Sequence, residues 1–219
     1  MTQKIFILRS KRPGILGLAF GFCTLCLAPS AQAFFETGES AEITKPGYYK
    51  IGIMPQIRLS DGSGMNVTGF FDSGLAEDKS VRVSLGAGET DFYTGGSFKW
   101  VPIPDYENQP AIGGKVEAIY ARKSSDSLVS FRFQPLASKK FDTEHGLFTP
   151  YAGLPISVTT WRSNTDTQVN LVGGTEFVTP KIKNMEFGAE LGLNGTKSFS
   201  YISGYITFLL DEKTGFKKR

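Results

Sequence analysis

The strongest constraint on this chain is the strict alternation of apolar and polar residues over positions 185–210. Across residues 185–193, Met, Phe, Ala and Leu occupy one side, whereas Glu and Gly occupy the other. Residues 202–210 show the same alternation, with Ile and Phe on one side and Ser and Thr on the other. Successive side chains of a β-strand point to opposite faces, so both segments are predicted to be strands with one oily face.

The first 33 residues are predicted to be a cleaved export signal. Four basic residues precede an apolar run at 15–27, and Ala31 and Ala33 are the small residues that a signal peptidase recognises. The run is too short for a permanent helical anchor, which needs about 20 residues. Cys23 and Cys26 would leave with this signal, so the mature chain is expected to contain no disulfide.

The net charge argues against nucleic acid as a partner. The predicted signal holds four of the 24 basic residues and none of the 21 acidic ones, which leaves 20 basic against 21 acidic residues in the mature chain. A nearly neutral chain gives no electrostatic reason to bind a polyanion.

Ten alternating segments separated by turn residues follow the signal. They cover residues 49–59, 65–75, 80–88, 91–103, 111–122, 128–135, 147–161, 168–178, 185–193 and 202–210. Most are about 9–13 residues long, as in membrane-spanning strands, whereas globular strands cluster near 5–6 residues. The pattern predicts an all-β protein, a closed antiparallel up-and-down transmembrane β-barrel of ten strands, or of eight as a fallback. Residues 34–46 would form a flexible lead-in, 47–210 the barrel and 211–219 a polar tail.

The two faces of these strands choose between a soluble and a membrane barrel. Mid-strand glycines on the polar faces favour a crowded lumen over a solvated surface; they are Gly52, Gly86, Gly174, Gly188 and Gly192. The lumen would then carry eleven charges that neutralise one another: Lys50, Arg58, Asp72, Arg82, Lys99, Lys115, Glu117, Arg132, Glu176, Glu186 and Glu190. The opposite faces would contact lipid through Ile51, Ile53, Val83, Phe131, Leu154, Ile156, Leu171, Phe187, Leu191, Ile206 and Phe208. Trp100 and Trp161 fall near the ends of oppositely directed strands and are predicted to be interfacial aromatics at opposite rims.

These features, with the segment Phe148-Thr149-Pro150-Tyr151-Ala152-Gly153-Leu154, resemble the small outer-membrane β-barrel proteins of Gram-negative bacteria, a class that includes opacity-type and OmpA-like domains. The resemblance implies a bacterial outer-membrane location, outer-membrane lipid as a partner, and periplasmic chaperones and barrel-assembly machinery during biogenesis. Tyr205, Phe208 and Leu210 resemble the assembly signal of the last strand, although the polar tail departs from the family pattern. A second departure is that the longest connections, 102–110 and 137–146, would face the periplasm.

The sequence leaves three functions open. The first is a structural or surface-interaction barrel, or a minor passive pore, with no enzymatic activity and no cofactor. The second is a lipid-modifying enzyme that uses His145, the only histidine, beside Glu144. The third is an exported soluble barrel with an apolar ligand inside. Glu176 and Glu186 could face each other across a hairpin, with Lys50, Arg58 or Arg82 as counter-ions. No metal-ligand spacing is recognisable in the sequence.

Overall fold

The computed structural model describes residues 38–60, 64–182 and 184–213, and its regular structure is all β. The strands are β1 Tyr48–Arg58, β2 Gly64–Ala76, β3 Lys79–Gly88, β4 Phe92–Ile103, β5 Ala111–Lys123, β6 Asp126–Ser138, β7 Phe141–Thr143, β8 Gly146–Gly153, β9 Ile156–Trp161, β10 Asn164–Val178, β11 Met185–Thr196 and β12 Tyr201–Asp211. Among the described residues, no helix is both long and apolar enough to cross a membrane.

Antiparallel pairing of neighbouring strands closes the sheet into a barrel. Consecutive strands pair from β1 to β6, β12 pairs with both β11 and β1, and β10 pairs with β11. β8 and β9 lie in one line between β6 and β10, and Leu154 and Pro155 separate them. Proline has no N–H to donate to a sheet, which accounts for an interruption at this point. The barrel wall therefore has ten strands, which confirms the predicted fold class and excludes the eight-stranded fallback.

The prediction of a polar loop at 137–146 is wrong. β6 continues to Ser138, and β7 then pairs with β8 through Phe141 and Phe148, so only Glu144 and His145 remain in the turn. Lys139 and Lys140 interrupt the alternation in the sequence and conceal this hairpin. The connection between the segments predicted at 147–161 and 168–178 is also shorter, because β10 begins at Asn164 and only Arg162 and Ser163, with positive φ angles of 46° and 66°, form the turn. Two such residues form the tight turn that best fits the twist of a hairpin.

Both ends of the barrel wall lie at the same rim, where Tyr48 pairs with Asp211. Residues 104–110 and the described residues 179–182 and 184, which belong to two of the longer connections, lie at this rim as well. The connections at the opposite rim that the structure describes in full span two to four residues. The departure from the family's loop pattern thus persists with ten strands in place.

The burial of side chains alternates along each strand, with polar residues inside. In β2, Asn66, Thr68 and Asp72 are buried, whereas Val67 and Phe71 are exposed. Among the described residues, the apolar groups that face inward form four small clusters and no continuous core. This polarity is the reverse of a soluble barrel, which buries its apolar faces.

The lumen as the candidate functional site

The structure places all eleven predicted lumenal charges on the inner side of the wall. Three are half-buried towards the rims, namely Lys50, Arg58 and Glu186, and the others are buried: Asp72, Arg82, Lys99, Lys115, Glu117, Arg132, Glu176 and Glu190. An unpaired charge in such a place is very costly, so the partners of each group decide what the lumen can do.

A basic wall runs across β3, β4, β5 and β6, each of which contributes one cation: Arg82, Lys99, Lys115 and Arg132. Arg82 forms a two-pronged ion pair with Asp72, with Nε–Oδ1 and Nη2–Oδ2 distances of 2.5 and 2.7 Å. Arg132 Nη1 lies 3.0 Å from Glu117 Oε2, and Lys115 Nζ lies 3.9 Å from the same oxygen. Asp72 and Glu117 therefore neutralise part of the charge of this wall. The carboxylate that pairs with Lys99 comes from outside the wall strands.

The rims carry separate ion pairs. Lys50 Nζ lies 2.9 Å from Glu186 Oε2, at the rim where Tyr48 pairs with Asp211. This contact matches the proposed assignment of Lys50 as a counter-ion of Glu186. At the other rim, Arg58 Nη2 lies 2.8 Å from Oε1 of Glu89, a turn residue outside the predicted set.

The opposite wall, formed by β10, β11 and β12, carries carboxylates bound by tyrosines. Tyr151 and Tyr201 donate hydrogen bonds to the two oxygens of Glu190, at 2.9 and 2.7 Å. Tyr205 donates to Glu176 Oε1 at 3.2 Å. Hydrogen bonds from tyrosine hydroxyls thus hold Glu190 and also Glu176, for which a lysine or arginine counter-ion was predicted.

Residues 38–44 lie inside the barrel between these two walls. Glu39 brings its carboxylate within 2.7 Å of Lys99 Nζ, 3.6 Å of Lys115 Nζ and 3.8 Å of Arg82 Nη1. Ser40 contacts the other wall, because its backbone N–H and its hydroxyl donate to the two oxygens of Glu176 at 3.0 and 2.6 Å. We call residues 38–44 the lumenal segment.

The basic wall also binds the backbone of the lumenal segment. Lys99 Nζ donates to the carbonyl oxygens of Ser40 and Glu42, at 3.0 and 2.5 Å. Arg82 Nη1 donates to the carbonyl of Gly38 at 3.1 Å. Ala41 packs in a buried cluster with Val101, Ala111 and Leu136 of the wall. Of the lead-in expected at 34–46, residues 38–41 are buried and in contact with both walls, whereas residues 34–37 lie outside the described part of the chain.

Each of the five glycines singled out on the polar faces lies directly across from a buried aromatic residue on the neighbouring strand. The register pairs are Gly52 with Phe70, Gly86 with Tyr93, Gly174 with Tyr151, Gly188 with Tyr205 and Gly192 with Tyr201. A Cβ at any of these glycines would come within 1.9–2.4 Å of a ring carbon. The crowding predicted from the sequence therefore exists, but its source is the adjacent strand and not the far wall. Each ring can lie against the wall only because its partner has no side chain.

The outer surface of the wall is apolar. Of the eleven residues predicted to contact lipid, ten are exposed and Phe187 is half-exposed; Phe131, for example, is 63% exposed. More than thirty large apolar side chains of the described residues are exposed in this way. Soluble monomers rarely expose contiguous apolar patches above a few hundred Å².

The two tryptophans lie at opposite rims, each with a polar or charged partner. Trp100 donates from Nε1 to Asp78 Oδ2 at 2.9 Å, beside the turn between β2 and β3. Trp161 ends β9 at the other rim, and the Arg162 guanidinium lies 4.7 Å from the centre of its ring. An indole with an apolar body and a polar contact suits the boundary between hydrocarbon and water.

The candidate enzyme residues lie away from the lumen. Glu144 and His145 are exposed at the tip of the β7–β8 hairpin, where the His145 backbone N–H contacts the Thr143 hydroxyl. Within residues 38–60, 64–182 and 184–213, no group of three or more His, Cys, Asp or Glu residues is placed to hold a metal ion.

Comparison with known proteins adds fold similarity only. No protein-family model and no curated protein matches the chain. Among solved structures, a de novo designed transmembrane β-barrel is 12% identical, with 77% of this chain and 99% of that chain covered and a TM-score of 0.41. The translocator domain of the autotransporter NalP from Neisseria meningitidis is 12% identical, with 88% and 95% covered and a TM-score of 0.42. A bacterial polysaccharide outer membrane secretin is 10% identical, with 73% and 64% covered and a TM-score of 0.40. Similarities at this level say nothing about activity, and the closer resemblance to opacity-type and OmpA-like domains stays a prediction.

Proposed function

We propose that this chain is an integral outer-membrane β-barrel whose lumen is closed at rest by its own lumenal segment, and that it serves as a structural or surface-interaction protein. The observation that carries the proposal is the inverted polarity of the wall. Buried ion pairs line its inside, and exposed aliphatic and aromatic side chains cover its outside. In a bilayer the outer face meets hydrocarbon, and a closed barrel leaves no unpaired strand edge in the lipid.

The same polarity argues against an exported soluble barrel with an apolar ligand. Such a ligand would need an apolar interior, whereas Glu39, Lys99, Lys115 and Glu117 are buried in this one. The exposed apolar wall would also be an aggregation hazard in water.

The closed state follows from what fills the lumen. Barrels of eight strands are filled by side chains, and those of 16 or more leave an aqueous channel. This barrel has ten strands, and the lumenal segment lies in its interior with Ser40 and Ala41 each 1% exposed. We therefore propose little or no conductance in the resting state.

Fractionation of cells that express the full chain tests the proposal. The protein is expected in outer membranes, to resist extraction by urea or carbonate, and to migrate differently on gels before and after boiling, as folded membrane barrels do. Release into the soluble fraction by a salt wash would contradict it. We also propose assembly from the periplasm by chaperones and the barrel-assembly machinery, with β12 as the recognition strand; truncating β12 should then block membrane assembly.

A further inference from the structure

The position of Glu39 suggests that the closed lumen contains an anion site. Three cations from three different strands, Arg82, Lys99 and Lys115, place a side-chain nitrogen within 4 Å of its carboxylate. All three cations are buried, and each is fixed by the sheet in a neighbouring position along β3, β4 and β5. A niche of this charge, shielded from water, holds an anion more strongly than the same groups would at a surface.

The anion that fills the niche comes from a segment outside the barrel wall. Glu39 precedes β1 and is joined to it only through residues 40–47, of which Lys45 and Pro46 are exposed at the rim. The wall binds the lumenal segment without the strand pairing that joins wall strands to one another. The described contacts are ion pairs, a few hydrogen bonds to carbonyl and N–H groups, and the small apolar cluster around Ala41. The segment is thus arranged as a ligand tethered to its site.

Removing this ligand would leave the centre of the lumen open and the basic wall with an excess of positive charge, opposite Glu176 and Glu190 of the other wall. The bulky rings of Tyr93, Tyr151, Tyr201 and Tyr205 lie against glycines on the wall, so they do not take the place of the segment. On the basic wall four cations would then face two carboxylates, Asp72 and Glu117. We propose that Arg82, Lys99 and Lys115 form an anion site that Glu39 occupies as a tethered stopper, and that withdrawal of the lumenal segment converts the closed barrel into an anion-selective pore.

This inference rests on the proposed function, because a conducting pore requires a membrane barrel. Its test is conductance in planar bilayers of the full chain and of Glu39→Gln, Glu39→Lys and Lys99→Gln. Loss of the Glu39 carboxylate breaks contacts with three buried cations, so Glu39→Gln is expected to raise the frequency of openings about tenfold or more. Glu39→Lys adds repulsion and should open the pore further. The reversal potential in a KCl gradient should show that the open state prefers chloride.

Lys99→Gln separates release of the stopper from selectivity. It removes the contacts with Glu39, Ser40 and Glu42, so openings should increase, but it also removes a wall cation, so the preference for chloride should be weaker than in Glu39→Gln. Glu77→Gln is the control, since it makes the same charge change in an exposed turn outside the lumen. It should behave as the unmodified chain.

The outcomes distinguish the two proposals. If the unmodified chain neither inserts into bilayers nor shows a heat-modifiable band, the proposed membrane function fails. If every variant inserts and shows that band, yet Glu39→Gln and Glu39→Lys stay as closed as the parent, the stopper is overturned while the membrane barrel stands. Openings that prefer potassium would overturn the anion site. If one of the three variants loses the heat-modifiable band, the conductance of the other two variants decides the test.

Discussion

Replacing Gly188 with alanine is expected to destabilise the barrel, because the new methyl group would occupy the space of the Tyr205 ring. A Cβ at Gly188 would lie 1.9 Å from Cζ and 2.2 Å from Cε2 of that ring. Carbon atoms in contact lie about 3.5–4.0 Å apart, so the ring would have to move by roughly 1.5 Å. Tyr205 cannot move that far and keep its hydrogen bonds with Glu176 and Tyr151, at 3.2 and 3.4 Å.

The size of the effect follows from three contributions. Overpacking a tight interior costs about 1–3 kcal/mol. A hydrogen bond to a charged group such as Glu176 contributes about 1.5–3 kcal/mol, and the displaced ring would lose part of it. Alanine restricts the unfolded chain more than glycine does, which offsets about 0.4–1 kcal/mol. We therefore expect the free energy of unfolding to fall by about 2–4 kcal/mol.

Gly204→Ala is the matched control on the same hairpin. Gly204 lies next to Tyr205 but faces outward, and a Cβ there would meet only the Gly188 carbonyl oxygen, at 3.7 Å. This variant should be neutral or slightly more stable. Urea unfolding of the reconstituted protein, followed by tryptophan fluorescence and by the heat-modifiable gel band, measures both.

Two results would refute the reasoning on Gly188. The first is equal urea midpoints for Gly188→Ala and Gly204→Ala. The second is an undiminished cost of alanine at position 188 in a Tyr205→Ala background, where no ring remains for it to displace. Residues in contact couple in such double-mutant cycles, whereas independent sites add.

Three further predictions concern the outer wall, the rim and the exposed hairpin. Leu171→Arg, on the outward face of β10, should lower the free energy of unfolding in bilayers by about 2–4 kcal/mol. Ile182→Arg, in a turn at the rim, should lower the same free energy by only about 0–1 kcal/mol. Equal losses for the two variants in urea titrations would contradict a bilayer around the wall. Desolvation opposes ionisation of Asp78, but hydrogen bonds from Trp100 and Lys79 outweigh it and lower its pKa below 3.8. The bonded carboxylate therefore persists above that pKa and is lost as the pH falls through it, so Trp100 fluorescence in a Trp161→Phe background should change with a midpoint below pH 3.8. His145→Ala should leave the urea midpoint and the acyl composition of the surrounding lipid unchanged. If the variant instead loses an ability of the parent to hydrolyse or transfer acyl chains, the lipid-modifying enzyme is favoured.

The strands were predictable because one physical requirement acts on every other residue. Each wall strand must present apolar side chains outside and polar groups inside, and the resulting period of two is visible in the sequence even where glycines weaken it. The β6–β7–β8 hairpin escaped prediction because Lys139 and Lys140 follow one another, so the local pattern resembles a polar loop. Pairing still continues past them, since the backbone N–H of Lys139 donates to the Pro150 carbonyl at 3.1 Å.

The lumenal segment escaped prediction for a different reason: it has no period, because it is not part of a sheet. A signal was nevertheless present in the charges. Lys99 has no ion-pair partner among the other ten predicted lumenal charges, and Glu176 has none either in the described structure. Their distinct needs, for an acceptor on the basic wall and for donors on the acidic wall, are met by two consecutive residues, Glu39 and Ser40. Because an unmatched buried charge costs several kcal/mol, six predicted cations against five anions pointed to a carboxylate outside the strands. The structure supplies two, Glu89 for Arg58 at the rim and Glu39 for Lys99 inside the lumen.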